Sequence, residues 1–373
     1  NILTPKGGTP AERDHWQVGT TNLITWTAGG AGNLVDIEYS PDGTSWVTIA
    51  TAYTNINSGA SVITNTAPPW VVPGPPSSNS YIRIRSVSQP SLYAVTLPFD
   101  MAGVQITAPN GGEIWEFTTT NDVTWLFQGA GANIDIRLAY VDNPTSNDFE
   151  LIDSNINILS GRRPVAPSKV RRPTNFGRVR INSTTMPMFD VSDNSFTIRG
   201  LSMTFPQSNA VYTMGMHVVT GLQWFSAATE DTSADILYAS DGTNYNDVVL
   251  TPLNIDGGAG ENKQDWLVPR NVLPSDTARL KVVAGAYSAR SPQFVLRGIR
   301  VLQPSIGAFF DIGTNKFVTW KAAGLQFSAK ITGALSTSGL GGPYSNAGLT
   351  TNVPAANGST SWTIDPELGK PTT

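Results

Sequence analysis

Four tryptophans each close an alternating apolar–polar triplet: Ile24-Thr25-Trp26, Val123-Thr124-Trp125, Leu222-Gln223-Trp224 and Val318-Thr319-Trp320. Their spacings are 99, 99 and 96 residues. A repeat of that length, kept across 373 residues, makes the chain a tandem array of like units. Other marks recur in phase. An opening strand ends in Pro5, Pro109, Pro206 and Pro304. An alternating strand follows the tryptophan at 35–40, 134–140 and 234–240. An Arg/Lys-alternating strand comes later, at 81–87, 177–183 and 278–284, and an apolar strand closes on Gly103, Gly200 and Gly298. Alternation with period two places one face of each strand in a core and the other in water.

About seven short strands per repeat, with turns between them, is the pattern of an immunoglobulin-like sandwich. The fold class expected is therefore all-β: tandem immunoglobulin-like β-sandwiches in an extended string. The expected domains are 1–103, 104–200, 201–298 and 299–373, the last incomplete because it stops before its Arg-alternating and closing strands. With no cysteine to form a disulfide, Trp26, Trp125, Trp224 and Trp320 are the expected core fillers between the sheets. No linker separates the units, since Gly103 is followed at once by Val104 and Gly298 by Ile299. One residue cannot act as a flexible tether.

Composition narrows the function. Charged residues are 14% of the chain and the net charge is −4, so nothing draws it toward nucleic acid. Cysteine is absent, which excludes thiolate metal sites and thiol catalysis. No apolar run reaches the roughly 18 residues of a membrane-spanning helix. The chain opens on Asn1 without Met and shows no signal peptide, as a mature or excised piece of a longer exported protein would.

The stretch 106–115, ITAPNGGEIW, followed by Asp122-Val123-Thr124-Trp125, resembles the immunoglobulin-like repeat of bacterial cell-surface proteins grouped with Ser/Thr-rich cell-wall proteins. The first repeat keeps Pro5, Gly7, Gly8, Trp16, Trp26, Ser40, Asp42, Gly43 and Trp46 of that pattern, while the second lacks the later turn. The resemblance implies a secreted, cell-surface or cell-wall protein of the surface-layer (S-layer) kind. A second resemblance, of Ser40–Trp46 to the Asp-box of sialidases, has the wrong period. Its echo at Ser240–Tyr245 lies 200 residues away, whereas propeller blades recur at about 40–50. Asp42-Gly43 and Asp241-Gly242 therefore read as hairpin turns.

The remaining candidates are few. Asp142, Asp148, Glu150 and Asp153 cluster in the second repeat, and oxygen-rich loops suit a hard cation such as Ca²⁺, though their spacing matches no established calcium loop. No other cofactor is implied. The segment 161–180 holds seven of the 24 basic residues and no acid. Its Arg162, Arg163, Lys169, Arg171 and Arg172 lie in a stretch stiffened by Pro164, Pro167 and Pro173. They are interface candidates, for an acidic face of a neighbouring copy or an acidic glycan. Trp70, in the Pro-rich stretch 67–76, is a further interface candidate. Asn182 and Asn357 begin N-x-S/T sequons, the expected glycosylation sites. The two histidines, His15 and His217, lack ligand spacing and read as surface residues.

Together these features point to a structural, non-enzymatic, self-assembling protein outside the cell, whose partner is a further copy of itself. An adhesin stalk or glycan-binding accessory region of a larger secreted enzyme is the alternative.

Overall fold

The computed structural model describes residues 1–56, 63–216, 218–254, 260–336, 343–345 and 352–364. Among them the regular elements are β-strands and short 3₁₀ turns, with no α-helix. They form two compact units, Asn1–Ile198 and Arg199–Thr373.

In the first unit, Leu34–Ser40 lies between Val47–Thr54 and Ser77–Ser86, and the last of these pairs with Tyr93–Val95 and Phe99–Ala108. The facing strands are Ile2–Thr4, Thr25–Thr27 and Thr64–Thr66. The second repeat follows the same plan. Asn133–Ala139 lies between Glu150–Asn157 and Thr174–Ser183, and Asn121–Gln128 lies between Phe99–Ala108 and Arg162–Val165. In the second unit, Ser233–Ala239 lies between Asp247–Asn254 and Ser275–Ala284. Val218–Ala227 pairs with Glu261–Leu267, and Asn315–Ala323 lies between Phe294–Gln303 and Ser359–Thr363. The chain is all-β and built from tandem immunoglobulin-like sandwiches.

Each core forms around its tryptophan. Trp26 packs among Ile24, Ile37, Ile82 and Phe99; Trp125 among Trp115, Ile136, Val179 and Phe196; Trp224 among Trp266, Ile236, Leu280 and Phe294. Trp320 is also buried. An indole N–H in such a place needs an acceptor. Trp26 Nε1 donates to Asn55 Oδ1, Trp125 Nε1 to the Ile158 carbonyl and Trp320 Nε1 to the Ala355 carbonyl, each at 2.9 Å. Trp224 Nε1 has no acceptor among the described residues.

An aspartate also recurs, at Asp36, Asp135 and Asp235, as the second residue of each alternating stretch that follows the tryptophan. Ladder register slips opposite it in all three repeats. Asp36 Oδ1 accepts from the Ala52 N–H at 3.1 Å and Asp135 Oδ1 from the Asn155 N–H at 2.9 Å. Those two residues have φ of 47° and 55°, a region that costs an L-residue energy unless something holds it. Asp235 instead accepts from the Thr251 hydroxyl. The aspartate thus secures a bulge that bends the hairpin onto the sandwich.

The closing strand of one repeat opens the next. Phe99 and Met101 pair back to Ser80 and Ser77, and Gly103–Ala108 pair forward to the strand of Trp125. In the second unit Leu296 and Phe294 pair back to Ser275 and Ala278, and Gly298–Gln303 pair forward to the strand of Trp320. The closing glycines have little spare room. A Cβ on Gly103 would stand 3.2 Å from Val18 Cβ, and one on Gly298 would stand 2.5 Å from Met214 Sδ.

Asp135→Ala removes the acceptor of a positive-φ amide. It is expected to cost the second repeat about 1–2 kcal/mol, read by urea unfolding followed by circular dichroism. Adding Asn155→Gly should recover part of that loss, because glycine takes positive φ without penalty. No recovery would mean that Asp135 does not act through the bulge.

Candidate functional site

The basic segment of the second repeat is more ordered than its prolines imply. Arg162–Val165 is an edge strand against residues 121–124, and Pro167–Lys169 is a 3₁₀ turn. Pro164 is tolerated because only an edge strand can spare a donor. The strand brings the cations onto acids of the same repeat. Arg162 Nη2 is 2.7 Å from Asp122 Oδ2, Arg163 Nε is 2.7 Å from Asp153 Oδ2, and Lys169 Nζ is 3.7 Å from Asp153 Oδ1. Arg171 pairs with Glu150. Arg172 stands over the Tyr140 ring at 5.7 Å. Each of the five candidate cations therefore has a partner in its own repeat.

Among the described residues no three or more of His, Asp and Glu come together in a group that could hold a metal ion. Asp153 and Glu150 are taken by basic side chains, Asp148 caps Thr145 through its amide and hydroxyl, and Asp142 is exposed. An acidic partner would compete with these acids for Arg163, Lys169 and Arg171.

Trp70 is not the open anchor its Pro-rich setting implies. Its ring lies 5.3 Å from Tyr39 and 6.1 Å from Trp16, packed against the first core. Asn182 lies in a strand, where its Oδ1 accepts from Arg180 Nε at 2.7 Å. Asn357 is exposed at the end of a 3₁₀ turn. His217 lies outside the described residues. His15 joins a cluster that the sequence did not reveal. Its Nδ1 is 2.6 Å from Asp100 Oδ2, and Arg13 Nη2 is 2.8 Å from Asp100 Oδ1. Asp100 is nearly buried, and the cluster ties His15–Gln17 to the Phe99–Ala108 strand, with which it pairs in parallel.

The two Asp-Gly turns are hairpins. Asp42 Oδ1 accepts from the Thr44 and Ser45 amides at 2.7 Å and from the Ser40 hydroxyl at 2.9 Å, with Gly43 at φ 79°. Asp241 Oδ1 accepts from Thr243 and Asn244, with Gly242 at φ 75°. The backbone donors hold both carboxyls well below the usual carboxylate range. Beyond each turn an aromatic ring meets a cation: Trp46 lies under Arg83 at 4.1 Å, and Tyr245 lies 4.8 Å from Lys281 and 5.6 Å from Arg290.

No protein-family model matches the chain, and no curated protein matches it. Among solved structures it is similar to an I9–I11 tandem from titin, at 8% identity over 76% of this chain and 95% of that one, with a TM-score of 0.20. It is also similar to fibronectin(III)-like modules of Clostridium thermocellum CbhA, at 12% identity over 51% of this chain and 94% of that one, TM-score 0.18. A Dscam structure matches at 9% identity over 76% of this chain and 71% of that one, TM-score 0.20. The sandwich assignment rests on the strand pairing and cores described above.

Asp153 supplies the pH-dependent test. Burial raises its carboxyl, and the Arg163 hydrogen bond with the Arg163 and Lys169 charges outweighs this and lowers it. A carboxylate lowered on folding stabilises the folded state above its unfolded value of about 3.9, and that contribution is lost as pH falls through the folded value. Asp153→Asn should therefore lower the urea midpoint by a constant amount at pH 5–7, with the gap to the wild-type chain closing toward pH 2. A gap unchanged at low pH would show that the pair adds nothing through charge.

Proposed function

We propose that the chain is an architectural length of a self-assembling surface layer outside the cell, working by spacing and not by catalysis. The observation that carries this reading is the shared strand. In each unit a ten-residue strand, Phe99–Ala108 or Phe294–Gln303, is hydrogen-bonded backward into one repeat and forward into the next. A joint whose backbone groups are already paired on both sides has few torsions left to bend, unlike a tether of free residues. Repeats joined in this way hold a fixed pitch, which a lattice needs if identical contacts are to recur along it.

In this reading the repeats 1–103, 104–200, 201–298 and 299–373 serve as the domains of the array. The basic stretch of the second repeat is used to brace its own sandwich. Among the described residues no helix is long and apolar enough to cross a membrane. Asn357, being exposed, is the better placed of the two sequons to carry a glycan. The partner proposed is a second copy of the chain, meeting the first through open, repeating contacts.

Negative-stain electron microscopy of the purified chain, concentrated stepwise, tests this. Ordered two-dimensional arrays or filaments of constant pitch are expected. Particles that stay monodisperse monomers at every concentration would overturn it.

A further inference from the structure

On the first repeat, the sheet Tyr93–Val95, Ser77–Ser86, Leu34–Ser40 and Val47–Thr54 turns one face away from the core. Ile82 and Ile84 point inward and are buried. Tyr81, Arg83 and Arg85 alternate with them and share the outer face. Register sets Tyr93 opposite Arg85 and Val95 opposite Arg83 on one side, and Glu38 opposite Arg83 on the other. The Asp42 turn then brings Trp46 onto the Arg83 guanidinium. Gly43 makes this close fit workable, since a Cβ there would stand 2.9 Å from the Tyr81 ring. The result is an open trough of about 490 Å³ lined by Trp46, Tyr81, Tyr93 and Arg83, with Asp42 and Thr44 at its rim.

We propose that this trough is a binding site for a neutral saccharide chain. Three rings with a few fixed polar groups at their edges match a sugar, which offers a C–H face to an aromatic surface and hydroxyls to its surroundings. The charges argue for a neutral ligand. Arg83 Nε is bound to Glu38 Oε2 at 2.6 Å, and Arg85 lies 3.2 Å from Asp36 and 3.7 Å from Glu38. Asp42 is held by its own turn. An anionic ligand would compete with Glu38 for the Arg83 guanidinium and meet the Glu38 charge, whereas a hydroxyl can share these groups without separating charge.

The other repeats keep only part of this set of rings. By register, the place of Tyr93 is held by Phe189 in the second repeat and Ser288 in the third. The place of Val95 is held by Val191 and by Arg290. In the third repeat Arg290 and Lys281 both lie against Tyr245. The second repeat has no Asp-Gly turn to carry a ring. Of the three repeats whose outer faces are described, the first alone combines an aromatic at the turn with tyrosines on both flanking strands. Tyr93 is 59% exposed, so core packing does not account for it.

The inference stands apart from the lattice reading, and its test does not depend on assembly. The full chain is run through native gels containing a soluble β-glucan, starch or mannan, with alginate as the acidic polymer. Retardation by at least one neutral polymer and none by alginate is expected. Tyr93→Ala, an exposed change that spares the fold, should weaken that retardation about tenfold in apparent Kd. Trp46→Ala should do the same, with circular dichroism confirming its fold, and Tyr245→Ala in the third repeat should leave it unchanged. No retardation by any of the three neutral polymers, stronger retardation by alginate, or retardation indifferent to Tyr93→Ala would each overturn the proposal.

Discussion

An indole N–H buried between two sheets needs an acceptor, and in three of the repeats the layout follows from how that need is met. The acceptors are Asn55, Ile158 and Ala355, and each lies just before the chain re-enters the sheet of its tryptophan. Asn55 is itself anchored, donating from Nδ2 to the Gly32 carbonyl at 2.7 Å. The bond therefore sets where the next strand begins. That strand then pairs directly with the tryptophan strand: Trp26 with Asn65, Val123 with Arg163, Val318 with Thr360. One buried polar atom so places an edge strand, and the edge strand places whatever side chains it carries.

In the second repeat those side chains are Arg162 and Arg163, which explains the fate of the charged segment. Pairing with residues 121–124 carries Arg162 to Asp122, and the strand's other face carries Arg163 to Asp153. The exposed Arg162–Asp122 pair contributes little, whereas removing Arg163 would leave the largely covered Asp153 carboxylate with less of its compensation. Their effect is to hold geometry in a repeat that lacks the Asp-Gly turn of its neighbours. The first repeat uses its outer face differently, with Arg83 and Arg85 neutralised by Glu38 and Asp36, and Arg83 lining a trough with three aromatic rings.

Much of the fold was legible because it is periodic. The 99-residue phase of the tryptophans, the alternation of Val35-Asp36-Ile37 and its counterparts, and the Asp-Gly turns report local rules that need no distant contact. Asp36, Asp135 and Asp235 stood in the same phase and could have been found by that signal alone. Their purpose, a bulge one strand away, needed the register. The Asp100 cluster was illegible: Arg13 and His15 lie 85 or more residues from it, and only the parallel pairing of two strands brings them together. The ion pairs of the basic segment were illegible for the same reason, since its acids are spread from Asp122 to Asp153 and look separate along the chain.

By itself, then, the sequence determined the β class, the repeat length, the four core tryptophans and the hairpin nature of Ser40–Trp46. These depend on side-chain alternation and turn chemistry, which act over a few residues. The tertiary structure alone decided which charges are free, which rings meet and which strand serves two repeats. Those outcomes depend on register between strands remote in sequence, and a shift of one residue would send each side chain to the opposite face.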